Sequence, residues 1–224
     1  MKNIGTLLSA FALILFGCCQ EPDTNFKTKQ QNTVLNEDIG EQIPLAVAER
    51  WISSYNKRTD IQAGRTKEVQ YKLSSANLNT ILSSFPQLGL AFHHAIDEYG
   101  KYHILVIAID KSQKRLWSDQ NDRICIDANS NSLVTEDTAN SWAQNYKKKN
   151  PDGIWYHFFG RHVFNEIKTI PWFKEINIRH AINDSDVPQL LLVISDNSAS
   201  ARIKDEESII VYDRGGTCPP CQSN

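Results

Sequence analysis

The sequence predicts an α+β protein: two tandem copies of a helix-helix-strand-strand-strand unit with antiparallel sheets. The first observation is a phrase written twice. HAIDEYGKYHILVIAID runs from His94 to Asp110, and HAINDSDVPQLLLVISD runs from His180 to Asp196, 86 residues later. The second is that apolar residues recur at helical spacing upstream of each phrase and in consecutive or alternating runs within it. The third is that short polar turn sequences, EYGK and DSDV, divide each phrase in the middle.

The correspondence extends beyond the phrase. Asp127 in RICIDAN and Asp213 in IIVYDRG keep the offset of 86. Upstream the offset reads 85, matching Tyr71 with Tyr156, Leu78 with Val163 and Pro86 with Pro171. Further upstream it reads 91, matching Trp51 with Trp142 and Tyr55 with Tyr146. It changes only where a loop can gain or lose residues, which is the signature of an internal repeat.

Each element follows from local chemistry. Residues 44–57 place Val47, Trp51, Ile52 and Tyr55 on one helical face, with Pro44 at a tolerated first-turn position. The matching helix starts at Thr135, an N-cap type followed by Glu136 and Asp137, acids that suit the positive end of a helix. It stops at the turn sequence NPDG, residues 150–153. A second helix is expected over 74–84 and again over 158–169, ended by Pro86 and Pro171. Hairpins follow, 89–97 with 102–110 and 175–183 with 188–195. A third strand closes each unit, 123–127 and 208–213. The runs ILVIAI and LLLVI are apolar at consecutive positions, so both faces of these strands should be covered. This element order resembles the small helix-helix-sheet lipoproteins of outer-membrane assembly and the tandem β-lactamase inhibitor proteins, a resemblance that implies a binding role.

The chain opens MKNIGTLLSAFALILFGCCQ, with a basic residue, an apolar run and then Gly17-Cys18. This is the pattern of a secretory signal peptide, too short for a comfortable membrane span. Leu15-Phe16-Gly17-Cys18 resembles the lipobox of bacterial lipoproteins. The resemblance implies cleavage after residue 17 and attachment of diacylglycerol to Cys18. Multiple acyl chains, at about 0.8 kcal/mol per buried methylene, would hold the protein firmly on a membrane. The expected organisation is a signal peptide at 1–17, a polar tether at 18–41, repeat units at 42–134 and 135–214, and a tail at 215–224.

Lys and Arg total 24 against 26 Asp and Glu, with no long basic block, so nucleic acid is not an expected partner. The tail carries C-x-x-C at Cys218 and Cys221. Two prolines and only three following residues leave no room for the helix that activates redox thiols, so a short-loop disulfide is expected. The alternative is a thiol or metal protein using this pair; no histidine shows ligand spacing, and neither metal nor cofactor is expected. The repeat pairs His94 with His180 and Asp127 with Asp213, candidates to meet in a cleft or, as a weaker alternative, to serve a hydrolase. Trp117 lies among polar residues and is a candidate anchor for a protein or glycan. Cys125 reads as a small buried hydrophobe. The expected function is a non-enzymatic binding or assembly module of the cell envelope, lipid-anchored at an outer rather than an inner membrane.

Overall fold

A computed structural model describes residues 35–63, 71–84, 87–111, 125–195, 209–213 and 215–218. All belong to one compact unit spanning 31–224. In chain order the elements are β1 (Glu41–Ile43), α1 (Leu45–Ala63), β2 (Tyr71–Ser74), α2 (Ser75–Ser84), β3 (Gly89–Ile96), β4 (Tyr102–Ile109) and β5 (Cys125–Asp127). There follow β6 (Ser132–Val134), α3 (Glu136–Lys149), β7 (Tyr156–Gly160), α4 (Arg161–Thr169), β8 (Glu175–Ile182), β9 (Pro188–Ser195), β10 (Ile209–Asp213) and β11 (Gly216–Cys218). The fold is α+β, and every strand pairing among the described residues is antiparallel.

The helix signals operate as their chemistry requires. The Thr135 side chain accepts from the Thr138 backbone N–H at 3.3 Å, and Glu136 and Asp137 open α3 while Lys147, Lys148 and Lys149 close it. The Pro44 carbonyl accepts from the N–H groups of Val47 and Ala48, starting α1. Both hairpin turns are built alike. Asp97 Oδ1 accepts from the N–H groups of Tyr99 and Lys101 at 2.9 and 2.7 Å. Asn183 Oδ1 accepts from those of Ser185 and Val187, each at 3.0 Å. Gly100 and Asp186 take the left-handed conformation that each turn needs, at φ 84° and 63°.

One sheet has the order β1-β10-β9-β8-β2, the other β11-β7-β3-β4-β5-β6. Strands from the two halves of the chain mix in both. β2 pairs with β8, and β7 pairs with β3, joining Gly89 to Gly160.

This corrects the expected element order, because a strand precedes each helix. The second-half helix expected from 158 begins at Arg161, and Phe158 lies in β7. β2 and β7 are short, run straight into the following helix, and find their partners far along the chain, so no local signal marks them. At the N-terminus, Leu35 and Ile39, in the stretch expected as tether, pack with Leu88, Ala91, Ile109 and Phe158. Glu37 and Ile39 carbonyls accept from the N–H groups of His162 and Gly160, at 3.2 and 2.7 Å.

The main core lies between the sheets. Phe92, Ile104 and Val106 of one meet Ile178, Leu190 and Leu192 of the other, with Leu78 and Ile81 of α2 and Phe164 and Ile167 of α4. The outer faces are covered separately. α1 sets Ala48, Trp51 and Ile52 on Ala181, Leu191 and Val211. α3 sets Ala139 and Trp142 on Ala95, Leu105 and Cys125. β4 and β9 are thus covered on both faces, as their unbroken apolar runs require.

Candidate functional site

Among the described residues, three places gather the polar side chains considered for a site. The first is a group of imidazoles and phenols. His94 of β3 and His180 of β8 come together, stacked with ring centroids 6.0 Å apart. His157 of β7 packs edge-on to His94 at 5.3 Å, and Tyr71 of β2 packs edge-on to His180 at 5.5 Å. Tyr146 of α3 stacks on His94 at 5.1 Å, and Tyr55 of α1 stacks on His180 at 4.9 Å. Tyr102 completes the group through a hydrogen bond between its hydroxyl and His94 Nδ1.

Burial sets the charge state here. It drives the His94 imidazole well below its ordinary range, with further lowering by His157, His180 and His93. It brings His157 to about 3, aided by His180, and His180 to about 4. It raises the Tyr71 and Tyr102 phenols. The group is therefore neutral at physiological pH. Among the described residues no carboxylate hydrogen-bonds to His94, His157 or His180, so these rings lack the partner that orients a general base.

The second place holds Asp127. His103 of β4 lies between two carboxylates, with Nδ1 3.1 Å from Asp127 Oδ1 and Nε2 3.3 Å from Asp97 Oδ2. All three are buried. A doubly protonated imidazole can donate to both; a neutral one donates to one. The His103 ring lies against Trp142 at 4.4 Å, and Trp142 Nε1 donates to Glu98 Oε2 at 2.9 Å. Ser130 Oγ and the Asn129 N–H also donate to Asp127, at 2.8 and 3.1 Å.

The third place holds Asp213, in a cleft of about 670 Å³. Asp38 and Glu41 line it from the N-terminal side, Trp51 from α1, and Asp184 and Gln189 from the β8–β9 hairpin. Among the described residues its lining includes no lysine, arginine or histidine. Arg50 reaches Asp184 from outside the lining, at 3.0 Å from Nε and 2.6 Å from an Nη, and holds that carboxyl below its usual range.

The structure thus brings His94 and His180 together but sets Asp127 and Asp213 at separate places. His103, Asp97, His157 and Gln189 were not singled out in the sequence. His103 carried a signal, since within the doubled phrase it stands opposite a glutamine. His157 carried one too, opposite Tyr71 once the offset is 86. Cys125 is fully buried in β5. Cys218 ends β11, opposite Tyr156. Cys18, Trp117, Asp196 and Cys221 lie outside the described residues. Among the described residues no group of three or more His, Cys, Asp or Glu is arranged to hold a metal ion, and no helix is long and apolar enough to cross a membrane. Comparisons with protein-family models, with curated proteins and with solved structures found no match.

Proposed function

We propose that this chain is a lipid-anchored lipoprotein of the bacterial envelope, whose body is a non-enzymatic binding module. The module consists of two tandem copies of one unit, β-α-β-α-β-β-β, that exchange strands. Its ligand is a partner at the envelope that enters the cleft around Trp51, Gln189 and Asp213.

Strand register is the observation that carries the duplication. His94 faces Ile104 as His180 faces Leu190. Asp127 faces Ser132 as Asp213 faces Glu41. His157 faces Phe92 as Tyr71 faces Ile178. These pairs support an offset of 86 from β2 through β10, one more than the 85 read for the second helix. Burial agrees: Leu78 and Ile81 correspond to Phe164 and Ile167, all buried. The two outer cores also correspond, Ala48, Trp51, Ala181 and Val211 to Ala139, Trp142, Ala95 and Cys125. The boundary between units then falls ahead of β6 rather than after it.

A binding role is supported by what the duplication leaves unequal. One end of the body is filled by its own side chains, and the matching end is a cleft. The neutral histidine group and the separated aspartates give no support to the hydrolase alternative. Attachment rests on the lipobox pattern. From Cys18, the residues up to 34 reach at most roughly 60 Å when extended, which would keep the cleft near the membrane. In an oxidising envelope Cys218 and Cys221 would close as a short-loop disulfide.

The anchor is tested by fractionation of cells producing Cys18→Ser. The expected outcome is release of the body into the soluble fraction, or accumulation of uncleaved precursor. Unchanged membrane association would overturn the anchor.

A further inference from the structure

A helix lies along a hairpin turn twice in the body, and the two versions differ in charge. The comparison rests on the duplication proposed above, with offsets of 91 for the helices and 86 for the hairpins. In the second half α1 lies along the β8–β9 turn, where Arg50 pairs with Asp184 at 2.6 Å and Arg58 pairs with Asp186. In the first half α3 lies along the β3–β4 turn. There Trp142 Nε1 donates to Glu98, and Asn145 Nδ2 donates to the Ile96 carbonyl at 3.1 Å. Arg58 corresponds to Lys149, and Asp186 corresponds to Gly100. Gly100 and Asp186 share the left-handed conformation, and Lys149 Nζ stands 3.9 Å from where a Cβ on Gly100 would lie. The cation is present in both halves, its carboxylate in only one.

The unpaired charge is concentrated. Lys101, Lys148 and Lys149 are exposed, and among the described residues their ammonium groups have no hydrogen-bond or ion-pair partner. Lys147 beside them lies over the Trp155 ring, 4.3 Å from its centroid. Of the acids in the turn, Asp97 is buried against His103, and Glu98 accepts from Trp142. Asp152 follows the end of the helix. Tyr99, between Glu98 and Gly100, is 88 % exposed.

We propose that the β3–β4 turn and the end of α3 form a membrane-contacting surface, with Tyr99 at headgroup level and Lys101, Lys148 and Lys149 on the phosphates of anionic lipids. The charges are complementary, and each lysine close to an anionic leaflet strengthens attachment about fivefold. Ammonium groups on flexible stems suit a field of mobile phosphates, whereas a fixed phosphate calls for the fork of an arginine. A phenol has an apolar body and a polar tip, the combination that settles at a membrane interface. The proposed anchor brings this surface to the bilayer. The chain enters the body at Leu35, which packs with Leu88 and Ala91 at the start of β3. The turn lies at the far end of that eight-residue strand, roughly 26 Å away and well inside the reach of the tether.

The test uses the full chain as cells produce it, mixed with vesicles whose acyl chains are brominated and quench tryptophan on contact. Tyr99→Trp adds a reporter to the five native tryptophans, so the signal is its quenching in excess of wild type. Excess quenching should appear in vesicles of phosphatidylcholine and phosphatidylglycerol in equal parts and be absent in phosphatidylcholine alone. Adding Lys148→Glu and Lys149→Glu should reduce it at least about fivefold. Three results overturn the membrane contact: no excess quenching in the anionic vesicles, equal quenching in the neutral ones, or quenching that survives the charge reversal. Gly100→Asp supplies the carboxylate that the other half possesses. It should reduce the excess quenching while the thermal midpoint stays within about 4 °C of wild type. Unreduced quenching or a larger fall in that variant overturns the correspondence between the halves, and the charge reversal still decides the membrane contact. Sedimentation with the neutral vesicles reads the anchor separately, since a chain left in solution there overturns the lipid attachment alone.

Discussion

A histidine in water protonates near pH 6.5, and the folded protein refuses that proton at three places. His180 holds it off until about 4 and His157 until about 3, because burial removes the water that would solvate an imidazolium. Between those values and 6.5 the unfolded chain binds more protons than the folded one. Stability contributed by these rings is therefore complete above about pH 6.5 and is lost as pH falls toward 4 and then 3. Each ring contributes a slope of up to about 1.4 kcal/mol per pH unit within its window. His157→Phe keeps an aromatic ring edge-on to His94 and removes one titration. It should unfold in urea near the wild-type midpoint at pH 7.5 and show a shallower loss between pH 6 and 4.5. An unchanged acid slope would show that His157 is solvated. Sequence reading found His94 and His180 because the doubled phrase prints them twice. It paired Tyr71 with Tyr156 and so passed over His157, which the proposed correspondence sets opposite Tyr71; a ring exchanged for a different ring leaves no identity to match.

At the level of elements, the strands and helices with their own local chemistry were legible: the capped α3, the proline-ended α4, and both hairpins with their side-chain-braced turns. β2 and β7 were not, since what makes them strands is a partner from the other half of the chain. The junction they form is tight. A Cβ built on Gly89 would lie 2.1 Å from the Phe159 carbonyl oxygen and 2.9 Å from Gly160 Cα, both backbone atoms that cannot swing aside. Gly89→Ala should therefore push β7 off β3 and cost about 2–3 kcal/mol, read as a shift of the urea midpoint. A cost under about 0.5 kcal/mol would mean that the two strands sit further apart than the pairing implies. The separation of the two ends of the body was not legible either. Whether a cavity is filled depends on the residue that projects into it, and His103 against Gln189 looks in a sequence like any other substitution.

For the whole molecule, each sheet draws strands from both halves of the chain, and the core between the sheets belongs to neither half alone. Unfolding should be a single transition, with tryptophan fluorescence and far-UV circular dichroism coinciding in urea. Fragments 35–131 and 132–224 should each be unfolded alone and regain the native spectrum when mixed in equal amounts. A fragment folded by itself would show that the exchanged strands are dispensable. The exchange also bears on ancestry. On the duplication proposed above, a gene encoding one unit would not make a stable monomer, because its inner strand would lack a sheet to join. Its product would have been a symmetric homodimer, in which any change at one ligand position appeared at both. Fusing the two genes end to end releases that constraint. One site can then be sealed to fortify the body while its twin remains open, a division of labour that a symmetric ancestor could not have evolved.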